Sequence, residues 1–214
     1  MSTPVRYDQQ YCPIARSLDV LGDRWTLPIL RELSLGDQRF SDLRDHLPGI
    51  APTVLTQRLR SMTADGLVAQ RPASPSSRRS VYTLAARGRE AIPILSALVR
   101  WGVPLLGPPP PDDELRPRSA VTFAVSTWYD PAAAAGVDER YRLLVDSEEI
   151  TLSSVRGGGK ARAEADLELE AGPGTWVELR RGTITLREAR DRGLLRVRGP
   201  AKSLRNFQRI FQVN

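Results

Sequence analysis

Residues 107–114 read Gly-Pro-Pro-Pro-Pro-Asp-Asp-Glu, and this run constrains the fold more than any other segment. Consecutive prolines cannot donate to a helix or a central strand, so the chain must pass through them extended. Neither a helix nor a strand can cross the run, which predicts separate domains at 1–107 and 119–214, joined by a Pro-rich linker at 108–118. The charge distribution agrees. Net charge is +6, and nearly all of the excess lies before the prolines: 14 Arg against 9 acids in residues 1–107. The remainder is almost neutral. Halves charged so differently are expected to do different work.

Before the prolines the periodicity is helical. Ile14, Leu18 and Leu21 share helical spacing up to Gly22. Asp23 is expected to cap a second helix carrying Trp25, Leu27, Ile29, Leu30 and Leu33, ended by Gly36. Ser41 is expected to cap a short third helix closed by Pro48-Gly49. A fourth begins at Pro52, whose missing N–H costs nothing in a first turn. On it Leu55, Leu59 and Met62 form one face, while Thr53, Gln57 and Arg60 point away, with Thr56 on the flank. Residues 67–71 and 80–84 read as two strands around a turn rich in Ser, Pro and Arg. Helices followed by a β-hairpin are the order of a winged helix-turn-helix. A last helix over 86–106 should kink or divide at Pro93, and its apolar positions exceed what so small a domain can bury, which predicts a homodimer.

From Ala51 to Arg89 the chain holds seven arginines and one acid, Asp65. Such an excess on a helix and adjacent hairpin suits phosphates and predicts double-stranded DNA as partner. Thr53, Thr56, Gln57 and Arg60 are side chains of the kinds that read base edges in a major groove. Arg58 lies nearer the core flank and suits a phosphate, as does Arg39 at a helix start. Arg78 and Arg79 stand at the hairpin tip, placed for a minor groove or a phosphate strand.

After the prolines the pattern is mixed. Residues 121–125, 141–145, 149–155 and 165–170 read as strands, with helical signals at 175–179, 184–190 and 202–211 and a short strand around Val197. Gly157-Gly158-Gly159 is read as a flexible turn. The fold class is therefore α+β, an N-terminal winged helix-turn-helix followed by a C-terminal α+β domain.

Two resemblances sharpen this. Residues 11–14 (Tyr-Cys-Pro-Ile), 18–33 (from Leu18-Asp19-Val20-Leu21-Gly22-Asp23-Arg24-Trp25 to Leu33), Arg39-Phe40-Ser41-Asp42-Leu43, Leu55-Thr56-Gln57-Arg58-Leu59 and Asp65-Gly66-Leu67-Val68 resemble the HxlR family of bacterial transcription regulators, and Tyr82-Thr83-Leu84 and Trp101-Gly102 continue the match. The resemblance covers about residues 11–107. It implies a dimeric winged-helix protein whose recognition helix starts at Pro52, binding a pseudo-palindromic operator. Ala51-Pro52-Thr53 replaces the Ser-Pro-Lys common in that family. Cys12 falls where some relatives sense oxidants, which makes thiol-based redox control an alternative. Residues 182–189 and 193–199, with Leu204, Phe207, Ile210 and Phe211, resemble sterol carrier protein type two domains. That implies a shell for a small apolar effector, which Trp128, Trp176, Phe207 and Phe211 could line or simply fill.

Other classes find less support. The single cysteine excludes an intrachain disulfide and fits a cytoplasmic protein. No signal core and no apolar run of about 18 residues appears, so no membrane partner is expected. His46, the one histidine, reads as a surface residue. No metal-spaced Cys/His set, nucleophile elbow or dinucleotide fingerprint is present, so neither catalysis nor a metal or cofactor is expected. A hydrophobic-ligand carrier whose first domain only dimerises remains the rival reading.

Overall fold

The computed structural model of the protein describes residues 11–74, 79–112, 118–145, 148–154 and 164–213. The chain forms two compact units, Met1–Ala97 and Leu98–Asn214.

The first unit opens with α1 (Pro13–Leu21), α2 (Thr26–Ser34), α3 (Phe40–His46) and α4 (Pro52–Ala64). Gly22 closes α1, donating its N–H to Leu18 O at 2.8 Å. Asp23 does not cap α2 as expected. Its carboxylate accepts the Trp25 N–H at 2.9 Å, which shapes the turn ahead of the helix, and Trp25 is the N-cap. Ser41 likewise lies inside α3, after the N-cap Arg39, and Asp42 Oδ2 accepts the Arg39 N–H. Asp23 stands two residues before the N-cap of its helix, and Asp42 stands three residues after the N-cap of α3, as the acid of a capping box. Ile29, Leu30, Leu33, Leu43, Leu55 and Leu59 are buried.

An antiparallel hairpin follows, β1 (Val68–Pro72) with β2 (Ser80–Leu84), pairing Val68 with Leu84 and Pro72 with Ser80. Gln38 adds one bridge to the outer side of β2 through Tyr82, so the wing is anchored to the segment between α2 and α3. The long terminal helix divides at Ala91 into α5 (Ala86–Glu90) and α6 (Ile92–Gly102), with Pro93 in the first turn of α6, and a 3-10 turn follows over Val103–Leu105. The boundary between the units falls inside α6.

The second unit holds α7 (Arg118–Thr127), β3 (Arg140–Val145), β4 (Glu148–Ser153), β5 (Leu167–Ala171), α8 (Pro173–Arg181), α9 (Leu186–Asp191), β6 (Leu195–Arg198) and α10 (Ala201–Phe211). The sheet order is β4-β3-β5-β6, with β3 parallel to β5 and both outer pairs antiparallel. Alternation sorts its faces. Tyr141, Leu143, Val145, Leu167 and Leus at 169 and 195 turn to the core. Arg142, Glu168 and Arg198 form a charged row on the other face, with Glu168 3.3 and 3.0 Å from the two guanidinium groups.

Residues 121–125 are helical, not a strand. Val121 and Val125 lie one turn apart and are both buried. The hydroxyls of Ser126 and Thr127 bond back to Phe123 O at 2.8 Å each, as hydroxyls in a helix do. A five-residue apolar run cannot distinguish the two states by period alone, and packing decided it. The Gly157–Gly159 turn and Val155 lie outside the described residues.

At Gly88 the start of α5 approaches the end of the α4–β1 turn so closely that an added Cβ would stand 2.1 Å from Leu67 O. Gly88→Ala is expected to destabilise the first unit by about 1–3 kcal/mol. Thermal unfolding checks this; an unchanged midpoint would show that α5 moves freely against the wing.

Candidate nucleic-acid interface

Helix α4 owes its orientation to one face. Leu55, Leu59 and Met62 are 0%, 2% and 1% exposed. At 100° per residue their burial turns Thr53, Gln57 and Arg60 outward together, and all three are exposed. Pro52 occupies the first turn, with Ala51 as the N-cap, so the solvent-facing end of the helix begins without an unmet proline donor. Thr56 is half-buried, and its hydroxyl donates to Pro52 O at 2.9 Å, which leaves its methyl as the outward group.

Val54 was missed by the sequence reading. It is 39% exposed beside this face, and an apolar residue in an amphipathic helix reads by default as core. Its place on the wheel, about 60° from Gln57 and about 140° from Leu59, was the available signal. An exposed valine offers a methyl surface of the kind that meets a thymine C5-methyl.

The arginines separate into groups that sequence distance concealed. Arg58 points back to the body, where its Nη2 pairs with Asp23 in the turn before α2. Arg71, on the wing, pairs with Asp37. Arg89 donates to Leu84 O at 2.6 Å, and Arg87 reaches Asp65 O at 3.4 Å. These four contribute to holding the domain together. Arg60 is exposed on the outward face of α4, Arg39 is exposed at the start of α3, and Arg79 is exposed at the base of the wing tip, its carbonyl accepting the Ala73 N–H at 2.8 Å. Arg78 lies outside the described residues.

Behind this surface Glu32 is fully buried on α2. Arg31 Nη2 approaches it at 2.7 Å, and His46 Nδ1 lies 3.3 Å from its other oxygen. His46 is thus half-buried and joined to α2, not the simple surface residue expected. Cys12 is half-buried at the N-cap of α1. Arg16, its nearest cation along the helix, is engaged with Asp19 at 2.7 Å.

In the second unit, Trp176, Phe207 and Phe211 sit in the core with Tyr141. The Tyr141 ring meets Phe207 at 5.4 Å and Phe211 at 5.7 Å, both edge-on. Trp128 is half-buried under the Arg180 guanidinium, 4.8 Å from ring centroid to Cζ. Among the described residues, no three His, Cys, Asp or Glu side chains are grouped to hold a metal ion, and no helix is long and apolar enough to cross a membrane.

With this geometry in view, the family model described as HxlR-like helix-turn-helix matches residues 20–108. An uncharacterized HTH-type transcriptional regulator of Synechocystis is 38% identical over 91 residues, 42% of this chain and 67% of that protein. A regulator of the same description in Mycobacterium tuberculosis is 38% identical over 100 residues, 45% of this chain and 63% of that protein. The HTH-type regulator YvaP of Bacillus subtilis is 30% identical over 100 residues, 46% of this chain and 93% of that protein. The chain thus spans about two thirds of the length of the first two of these relatives. Among solved structures, the redox regulator HypR in its oxidized form is 32% identical, with 42% of this chain and 94% of that one covered at a TM-score of 0.40.

The Arg58–Asp23 pair ties the helix to the turn before α2. A double-mutant cycle on Arg58→Ala and Asp23→Ala should give a coupling energy of about 0.5–1 kcal/mol in stability, discounted because both groups are partly solvated. A coupling near zero would return Arg58 to the set of groups available for phosphate.

Proposed function

This chain belongs to the HxlR-like helix-turn-helix family, and from that premise we propose that it is a dimeric, sequence-specific DNA-binding regulator of transcription. The observation that carries the reading is the two-sided α4, with three buried apolar residues on one side and Thr53, Gln57 and Arg60 exposed on the other. The major groove admits one helix. Gln57 can pair bidentately with adenine, Arg60 with guanine, and Thr53 and Val54 can meet thymine methyls. Arg39 and Arg79 supply phosphate contacts, and Arg78, the neighbour of Arg79 in sequence, adds a second guanidinium.

The dimer is proposed from two apolar stripes. Tyr11, Ile14 and Leu18 are exposed on and just before α1. Ile94, Leu98 and Trp101 are exposed along α6, and Trp101 is 72% exposed. Apolar residues repeated at helical spacing and left in water suit a second helix, and a second copy supplies the same stripes by symmetry. Two α4 helices related by a two-fold axis would take half-sites about one helical turn of DNA apart.

The second unit is proposed as the seat of control. Its sheet backed by helices, together with the sterol-carrier-like pattern of residues 182–211, supports an apolar effector that binds one DNA-binding state better than the other. A ligand panel that neither raises the thermal midpoint nor alters operator affinity would remove this part of the reading.

Selection of bound sequences from random DNA should return a pseudo-palindrome. Against that operator, Gln57→Ala and Arg60→Ala should each cost about 1–3 kcal/mol, roughly 5- to 150-fold, and relax the preference at one base pair. Arg79→Ala should weaken all sequences alike and lower the steepness of the salt dependence. Equal affinity for operator and random duplex in the unaltered protein would contradict the proposal. Trp101→Ser should shift the sedimentation equilibrium toward monomer and weaken operator binding with it.

A further inference from the structure

Helix α8 carries two buried donors that meet no acceptor among the described residues. Trp176 is 0% exposed, and its indole Nε1–H has no partner among the described residues. One turn later, Arg180 Nε–H is also buried and also without a partner. The i,i+4 spacing puts the two side chains on the same face of the helix. Both groups only donate, so whatever satisfies them must accept. An unmet buried donor is costly, and two on one face of one helix are unusual for a core that merely needed filling.

The remainder of the guanidinium is firmly held. Nη1 donates to Phe211 O at 2.8 Å and to Gln212 O at 3.4 Å, and Nη2 donates to Val125 O at 3.3 Å. These carbonyls lie at the C-terminal ends of α10 and α7, where helix dipoles present partial negative charge. Trp128 covers the guanidinium from one side. Burial lowers the Arg180 pKa to about 10. A desolvated cation is thus fixed by main-chain carbonyls on two of its nitrogens, with the Nε–H on the edge that carboxylates approach side-on.

We propose that Trp176 and Arg180 form a receiving site for the carboxylate of an apolar organic acid, the guanidinium Nε–H and the indole Nε1–H donating to its oxygens. A carboxylate accepts only and brings the charge that the buried guanidinium lacks. The acid's chain belongs with the neighbouring core aromatics, Phe207 and Phe211. This rests on the reading of the second unit as a ligand-binding domain and names the chemistry of its ligand.

The test uses the full-length protein, with decanoate, methyl decanoate and acetate as probes. The readouts are the four indole N–H resonances, the thermal midpoint and operator affinity. Decanoate should shift the Trp176 resonance, identified by its loss in Trp176→Phe, and raise the midpoint, whereas methyl decanoate should do neither. Trp176→Phe should bind decanoate at least tenfold more weakly, and the smaller ring should lower the ligand-free midpoint by its lost packing alone. Because Arg180 also closes two helices, Arg180→Lys replaces truncation; it keeps the charge, loses the fork, and should weaken decanoate binding likewise. A response to acetate equal to that for decanoate would keep the carboxylate site and remove the apolar chain from the proposal.

Two outcomes overturn it: no resonance shift with decanoate or acetate, or unchanged decanoate affinity in Trp176→Phe. Operator affinity separates the two readings. Decanoate binding without effect on the operator sinks ligand control and leaves the site standing. An operator response to methyl decanoate alone keeps control and sinks the site.

Discussion

Everything on the candidate DNA surface depends on how α4 is seated. Three side chains, Leu55, Leu59 and Met62, are almost completely removed from water. Burying three such side chains contributes several kcal/mol at about 1.5–3 kcal/mol each, far more than any single polar contact on the outer side. Rotating the helix by even one position would expose part of that surface and bury Arg60 or Gln57. The identity of the outward residues is therefore fixed by the inward ones. The Arg58–Asp23 pair and the Gln38–Tyr82 bridge then hold neighbouring parts of the same frame.

This explains why α4 was legible in the sequence. The period of its apolar residues, Pro52 at its start and Gly66 beyond its end are local signals, and the local signal agreed with the packing. The hairpin was legible for the same reason, down to the strand from Ser80 to Leu84. The arginines were not. A count over residues 51–89 treats charge as local, but Asp23 and Asp37 lie 35 and 34 residues from the arginines they meet. The apparent excess of six is thus partly neutralised by acids that only the fold brings near. Among the described residues Arg60 on the helix, Arg39 at the start of α3 and Arg79 on the hairpin are exposed.

In the second unit the strand expected at 141–145 appears at Arg140–Val145, and the one expected at 165–170 appears displaced, at Leu167–Ala171. Residues 121–125 do not form one, because Val, Phe and Val at alternate positions are equally compatible with a helix that buries residues one turn apart. Here the deciding information is the neighbouring surface, not the segment. The same limit applied to capping. Asp23 and Ser41 have the right chemistry for N-caps, yet α2 starts two residues after Asp23 at the N-cap Trp25 and α3 starts before Ser41 at the N-cap Arg39, where Asp42 accepts the Arg39 N–H.

Arg180 shows a different kind of illegibility. In sequence it is one of 29 arginines in a chain with only two lysines, and nothing about the string Glu-Leu-Arg-Arg marks the first from the second. Folding distinguishes them absolutely. Arg180 is drawn beneath Trp128 and onto the ends of α7 and α10, where three carbonyls occupy two of its nitrogens. A lysine could satisfy some of those carbonyls with a compact charge, but it could not leave a directional donor over for another group. The planar fork does both at once: one part closes helices, and the other has no partner among the described residues. The second unit's neutrality in the overall count hides this, because net charge sums over a surface while the costly charge is the one inside.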